Sequence, residues 1–407
     1  MDISGRSGPQ LRLPRRWSLL PVALACLLGV LASGLASGPA RAHPAVRAGT
    51  AADGARPAPV SPGYPLFNDP TGPPSAQYRL VRHIDAEIAG APRRSTIRLA
   101  AYSFALSRVS RRLIAAHRRG VLVRLVVDQR SRTWGSVRRL GHLLGHDVHA
   151  RSFVKICSHS CRGRAGDQHA KFMTLSRTGH KHDVLLVGSM NFSDLSAQRQ
   201  WNDLYTVADP GIYRQFRRTF AQMRLDRPQP RLHLKPSPRG LAAQVAPLPG
   251  WSARNDPVLS RLRQVRCRGA GAHHHAHTVL RISMHAWNGS RGVLLARKVA
   301  GLSRARCDIR VLYGVGVGRR VVHILHRAGV PARSGAVHGT HTHQKLMVLS
   351  GRFARQREAE YVWTGSHNWT TQSLANDEVT LRVSGARTVH AYRVRFAALW
   401  KRSGRSG

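Results

Sequence analysis

His169-Ala170-Lys171, followed by Gly188-Ser189-Met190-Asn191, returns later as His343-Gln344-Lys345 and Gly365-Ser366-His367-Asn368. The step from His to Gly is 19 residues in the first copy and 22 in the second. A constellation repeated at this distance marks a duplicated chain. Two His, two Lys and two Asn can then meet across a pseudo-two-fold axis and grip one phosphate.

The sequence around the motifs repeats too. Thr96 to Tyr102 reads as a buried strand, residues 109 to 119 as a basic amphipathic helix stopped by Gly120, and Val121 to Val127 as a second strand. This β-α-β run predicts a parallel pair with a right-handed crossover. In the second half Val279 to Met284, residues 290 to 302 and Cys307 to Tyr313 follow the same plan, and residues 319 to 328 add a helix. Asp256-Pro257 reads as a helix start. Asp209-Pro210 and Ser384 are expected to open the last helix of each half. The expected fold is α/β: two pseudo-symmetric sandwich lobes with mixed sheets, at 76 to 226 and 256 to 401. A flexible leader at 43 to 75 and a Pro-rich linker at 227 to 255 complete the plan.

Composition bounds the partners. The chain has 407 residues, 42% apolar and enough for a true core, and a formal charge of +46. Nearly all of that charge is Arg, yet two of the scarce lysines are Lys171 and Lys345. A basic surface favours nucleic acid, acidic lipid or anionic polymer; codon-driven Arg enrichment is the competing reading. Arg12, Arg15 and Arg16, the apolar run 17 to 36 and Ala40-Arg41-Ala42 read as an export signal cleaved near Ala42, with a membrane anchor as the alternative. The mature chain is then expected to be secreted. Its four cysteines allow three pairings. Cys157–Cys161 and Cys267–Cys307 are favoured because each pair lies within one half.

On a strand, alternate residues share a face, so His169 and Lys171 point together, as do His343 and Lys345, Ser189 and Asn191, and Ser366 and Asn368. One imidazole can attack phosphorus, and the other can protonate the leaving oxygen. The two Lys and two Asn steady the nonbridging oxygens. Glu378 and, more loosely, Asp203 are the acids placed to orient the imidazoles. Ser189, Ser366 and Trp369 are expected at the substrate, with Trp134, Trp201 and Trp287 as further cleft candidates. His273-His274-His275-Ala276-His277 reads as a solvent loop rather than a metal site, and Gly314 to Gly318 as a loop between strand and helix.

These motifs resemble the phospholipase D superfamily, whose signature is H-x-K-x4-D followed by G-S-x-N, usually present twice. The resemblance spans the mature chain. It implies two α/β sandwich lobes, catalysis without metal or other cofactor, and a phosphohistidine intermediate. The first-motif nucleophile carries over to His169, leaving His343 as general acid. The family's Asp is replaced by Ser176 in one copy and Ser350 in the other. The leading expectation is hydrolysis of a phospholipid head-group ester, with an extracellular nuclease or a polyanion-binding module with a degenerate site as alternatives. A monomer suffices, since one chain holds both motifs.

Overall fold

The computed structural model describes residues 63–403, apart from 233, 249, 251 and 272–276. The export segment, most of the leader and His273 to His275 lie outside the described residues.

The first sheet draws on β1 (Tyr64–Phe67), β2 (Thr96–Ala101), β3 (Leu122–Asp128), β4 (Phe153–Cys157), β5 (Phe172–Thr178), β6 (Lys181–Gly188) and, beyond the two-residue β7 (Gln200–Trp201), β8 (Asp203–Ala208). Its order is β1-β8-β6-β5-β2-β3-β4. The parallel β2/β3 pair is joined by the helix Ser107–Arg118, as the β-α-β pattern predicts. The second sheet uses β9 (Ala242–Ala246), β10 (Val265–Arg266), β11 (Val279–Trp287), β12 (Asp308–Val317) and β13 (Ala332–Ser334). After the short β14 (Ala336–Val337) and β15 (Thr340–Thr342) come β16 (Lys345–Phe353), β17 (Gln356–Gly365) and β18 (Glu378–Ser384). The order is β13-β12-β11-β16-β17-β18-β9, with β10 on β16. Each sheet mixes parallel and antiparallel pairs, and the two orders correspond strand for strand.

That correspondence corrects the expected leader and linker. β1 lies in the stretch assigned to the leader and β9 in the stretch assigned to the linker, yet each pairs antiparallel with the last strand of its lobe. Pro65 hides β1 in the sequence, because proline suits only an edge where its missing N–H is not needed. The last helices also differ from each other. Asp209 caps Pro210–Met223 by accepting from Ile212 N–H, as expected. Ser384 instead ends β18 and donates to the Gly240 carbonyl, and the helix begins at Ala386.

Helices cover the outer face of each sheet around separate apolar cores. A third core belongs to both lobes: Phe172, Val187 and Phe216 of the first pack in one cluster with Leu346, Val362 and Tyr392 of the second. Each such buried side chain contributes roughly 1.5–3 kcal/mol, so this shared core fixes the lobes against each other. Cys157 is bonded to Cys161, and Cys267 to Cys307.

Candidate active site

Both His-x-Lys motifs lie at the lobe boundary, the first just ahead of β5 and the second entering β16 at Lys345. There each lobe reaches into the other. His169 N–H donates to the Asp377 carbonyl at 3.1 Å, and His343 N–H to the Trp201 carbonyl at 3.0 Å. The parallel β15/β7 pair and the parallel Gln168/Asp377 bridge are the two halves of this crossed arrangement. Gly-Ser-x-Asn likewise begins at the last residue of β6 and of β17, so Ser and Asn project from strand ends.

The side chains cross over as well. Nδ1 of His169 lies 2.8 Å from Oε1 of Glu378, whose other oxygen accepts from Ser366 Oγ. Nδ1 of His343 lies 3.0 Å from Oδ1 of Asn202, which also accepts from Ser189 Oγ at 2.9 Å. The Asn202 amide nitrogen donates to the Ser196 and Gln200 carbonyls. Its oxygen therefore faces His343, and the His343 Nδ1 must carry a proton.

Asn202, not Asp203, is thus the counterpart of Glu378. The register says the same: Gly188 opposes Leu204, and Gly365 opposes Thr380. Asp203 matches Val379, and a one-residue slip sends a strand side chain to the opposite face. The Asp203 carboxylate, fully buried, accepts instead from Thr364 Oγ1 and from Tyr392 Oη at 3.0 Å, tying the lobes together. Asp203→Ala should therefore cost about 1–3 kcal/mol of stability by stranding buried hydroxyls. Chemical denaturation should show that loss, while turnover per folded molecule stays close to the parent value.

The lysines fold back on their own motifs. Lys171 Nζ donates to the His169 carbonyl at 2.7 Å; Lys345 Nζ donates to the His343 carbonyl at 2.6 Å and lies 3.1 Å from His343 Nε2. Both imidazoles are held well below the ordinary histidine value, first by burial and then by the charge of both lysines. Burial pushes Glu378 up to about 8 against the pull of the same two lysines. The two imidazoles, two ammoniums and Glu378 thus share one buried electrostatic site. Lys171 is pushed by burial down to about 7. It is charged below that value and neutral above it, so the grip on an anionic phosphate should weaken as pH rises through neutrality. KM measured against pH should climb on the alkaline side, and Lys171→Arg, which stays charged, should move that climb to higher pH.

Asn368 Oδ1 accepts from Ala286 N–H at 3.2 Å, which leaves its amide hydrogens for a phosphate oxygen. Asn191 Oδ1 is buried without a protein partner among the described residues. Two ring neighbours were not legible in the sequence. Tyr102 meets His169 edge-on at 4.8 Å between centroids, and His285 meets His343 at 4.4 Å. They are equivalents: β2 pairs with β5, and β11 with β16, in the same register. Gly314 permits the second wall, because a Cβ there would fall 2.8 Å from His285 Cα and 2.7 Å from the Thr342 oxygen. Gly314 to Val317 accordingly continue β12 rather than form a loop.

Other expected site residues stand elsewhere. Ser189 and Ser366 are fully buried and brace Asn202 and Glu378, while accepting from Asp203 and Val379 N–H. Their role is positioning, not substrate contact. Trp369 is a core residue: its ring packs edge-on to Trp287, 4.6 Å between centroids, and both are buried. Trp201 is buried too, its Nε1 donating to Thr340. Ser176 accepts from Thr96 N–H and Ser350 donates to Glu360, so both serines serve their sheets. Arg291, fully buried on Asp256, donates to the Asn368 and Thr370 carbonyls and so holds the second Gly-Ser-x-Asn loop in place.

The family described as "Cardiolipin synthase, PLD-like domain" matches residues 84–224 and 274–400. No curated protein matches the sequence. Among solved structures, polyphosphate kinase from Porphyromonas gingivalis is similar at 16% identity and a TM-score of 0.55, over 83% of this chain and 50% of that one. This chain thus spans about half the length of that kinase. Phosphatidylserine synthase from Haemophilus influenzae Rd KW20 is similar at 10% identity and a TM-score of 0.54, over 84% of this chain and 86% of that one. At such identity the likeness is one of fold. With two matched segments that each hold one His-x-Lys and one Gly-Ser-x-Asn, the chain belongs to the phospholipase D-like family.

Proposed function

We propose that the protein cleaves phosphodiesters by double displacement, with His169 as nucleophile and His343 as general acid and base. The observation that carries this reading is the unequal partnering of the imidazoles: a carboxylate behind His169, an amide behind His343. Once ionised, a state the two lysines favour against burial, the Glu378 carboxylate accepts the Nδ1 proton and raises the basicity of Nε2, which suits attack on phosphorus. A neutral amide fixes the tautomer without stabilising the imidazolium, which suits giving a proton away.

In the first step His169 Nε2 bonds to phosphorus, the bond to the leaving oxygen breaks, and His343 Nε2 supplies that oxygen's proton. In the second, water attacks phosphorus, His343 takes its proton, and the phosphorus–nitrogen bond breaks. The incoming phosphate offsets the lysine charge and so restores a proton to His343. Lys171, Lys345, Asn191 and Asn368 hold the nonbridging oxygens throughout.

For the substrate we favour a phospholipid head-group ester, handled by a secreted enzyme. Leu195 and Val315 are 60% and 65% exposed, on the segment after Asn191 and at the site end of β12, where acyl chains can lie. Among the described residues no helix is long and apolar enough to cross a membrane. A nuclease is the second reading, favoured by the +46 charge. A panel of phospholipid vesicles, DNA and RNA, each with chelator present, decides between them. Choline or ethanolamine release is expected. Plasmid degradation without lipid turnover would assign the nuclease, and binding without either reaction would sink the enzymatic reading.

A further inference from the structure

We propose that the first lobe holds a second anion site, a six-arginine pocket shaped for a compact group bearing clustered phosphates. Arg98 of β2, Arg124 of β3 and Arg214, Arg217, Arg218 and Arg224 of the last helix and its end converge on one cavity of about 320 Å³ over Phe220. Small-ligand pockets begin at roughly this size. Arg98 lies four residues before Tyr102, which directly follows β2, so the pocket sits about 13 Å from the catalytic end along the strand direction.

Among the described residues none of the six has a carboxylate within ion-pair distance. Their direct contacts are neutral: Arg98 with Tyr213 Oη at 3.3 Å, Arg124 with the Arg151 carbonyl, Arg224 with the Val148 carbonyl, and the Asp183 carboxylate acts on Arg214 and Arg217 only from beyond ion-pair distance. Arg224 Nε is buried with no hydrogen-bond partner among the described residues. Burial lowers Arg98 and Arg124 from the ordinary arginine value, and neighbouring arginines lower both further. Arginines at the end of a helix complement its dipole, but that does not account for two more reaching in from strands.

The duplicated lobe supplies the comparison. By register Arg281 and Arg310 are the equivalents of Arg98 and Arg124. There Arg281 is paired with Asp308 at 2.6 Å, and Arg310 lies over the Trp400 ring. The position of Asp308 is taken by Leu122 in the first lobe. One copy pairs one strand arginine with a carboxylate and covers the other with an aromatic ring, whereas among the described residues the first lobe gives Arg98 and Arg124 neither. Guanidinium forks match phosphate oxygens in pairs, and a concave cluster favours a compact polyphosphate over a duplex.

The test is calorimetric titration of the full chain with inorganic tripolyphosphate. Arg98→Gln with Arg217→Gln should weaken binding by about tenfold or more. Arg111→Gln with Arg112→Gln removes equal charge from an exposed helix and should weaken it by less than about twofold. The catalytic site contributes equally to both, so the difference reports the pocket whether or not the proposed reaction is right. Equal loss in both double variants, or loss in neither, overturns the proposal. If the first pair fails to fold by thermal melting, the exposed pair Arg214→Gln and Arg218→Gln is judged by the same criterion. Vesicles with a bisphosphorylated head group form a second arm. Loss in both arms supports the shared chemistry, and loss with tripolyphosphate alone supports a soluble anion. Selective loss of duplex DNA binding with tripolyphosphate unaffected overturns the assignment.

Discussion

His169→Asn is expected to cut turnover by roughly 10⁴-fold or more, since in the proposed reaction it removes the covalent nucleophile and leaves only binding and charge stabilisation. His169 is the imidazole whose Nδ1 faces a carboxylate, Glu378, itself fixed by Ser366. Asparagine keeps a hydrogen-bonding amide in that space but has no nitrogen lone pair to give. Substrate affinity should change far less, because the lysines remain. Steady-state kinetics on the best substrate of the panel checks this, and near-parental turnover would remove His169 from the reaction.

His343→Ala should lower turnover of an unactivated diester by about 10²- to 10⁴-fold, and the size of the loss should depend on the leaving group. An alkoxide needs a proton as it departs, whereas a nitrophenolate does not. With a nitrophenyl diester the first step should survive and the second, which needs His343 as base, should stall. A rapid release of nitrophenolate, close to one per active site, should then be followed by slow turnover. Alkaline quench and mass spectrometry should find the phosphoryl adduct on the peptide containing His169. The same loss for both leaving groups would show that His343 serves structure rather than proton transfer. The asymmetry predicts the opposite pattern for the two histidines, so paired measurement of both variants is more telling than either alone.

The duplicated motifs were readable because the chemistry needs the same residue types at matched places, and short spacings survive in sequence. The strand-helix-strand core was readable from periodicity. The partner of His343 was not. The step from Asn to the orienting residue is 11 in the first copy and 10 in the second, so aligning by acid type puts Asp203 where Asn202 belongs. Only the ladder between β6 and β8 fixes that register. The walls Tyr102 and His285 were hidden because one is phenol and the other imidazole, and nothing but register equates them. Trp369 misled because a tryptophan beside a motif suits a cleft and a core equally. Arg291 was hidden within a helix rich in basic residues, where a buried arginine and a solvated one look alike.

The crossed partnering of the lobes has a consequence for biogenesis. The acid behind His169 lies 209 positions later in the chain. A ribosome must therefore release almost the entire polypeptide before His169 and Glu378 can meet. Neither half, expressed alone, should carry out the proposed reaction, because neither holds both His169 and Glu378.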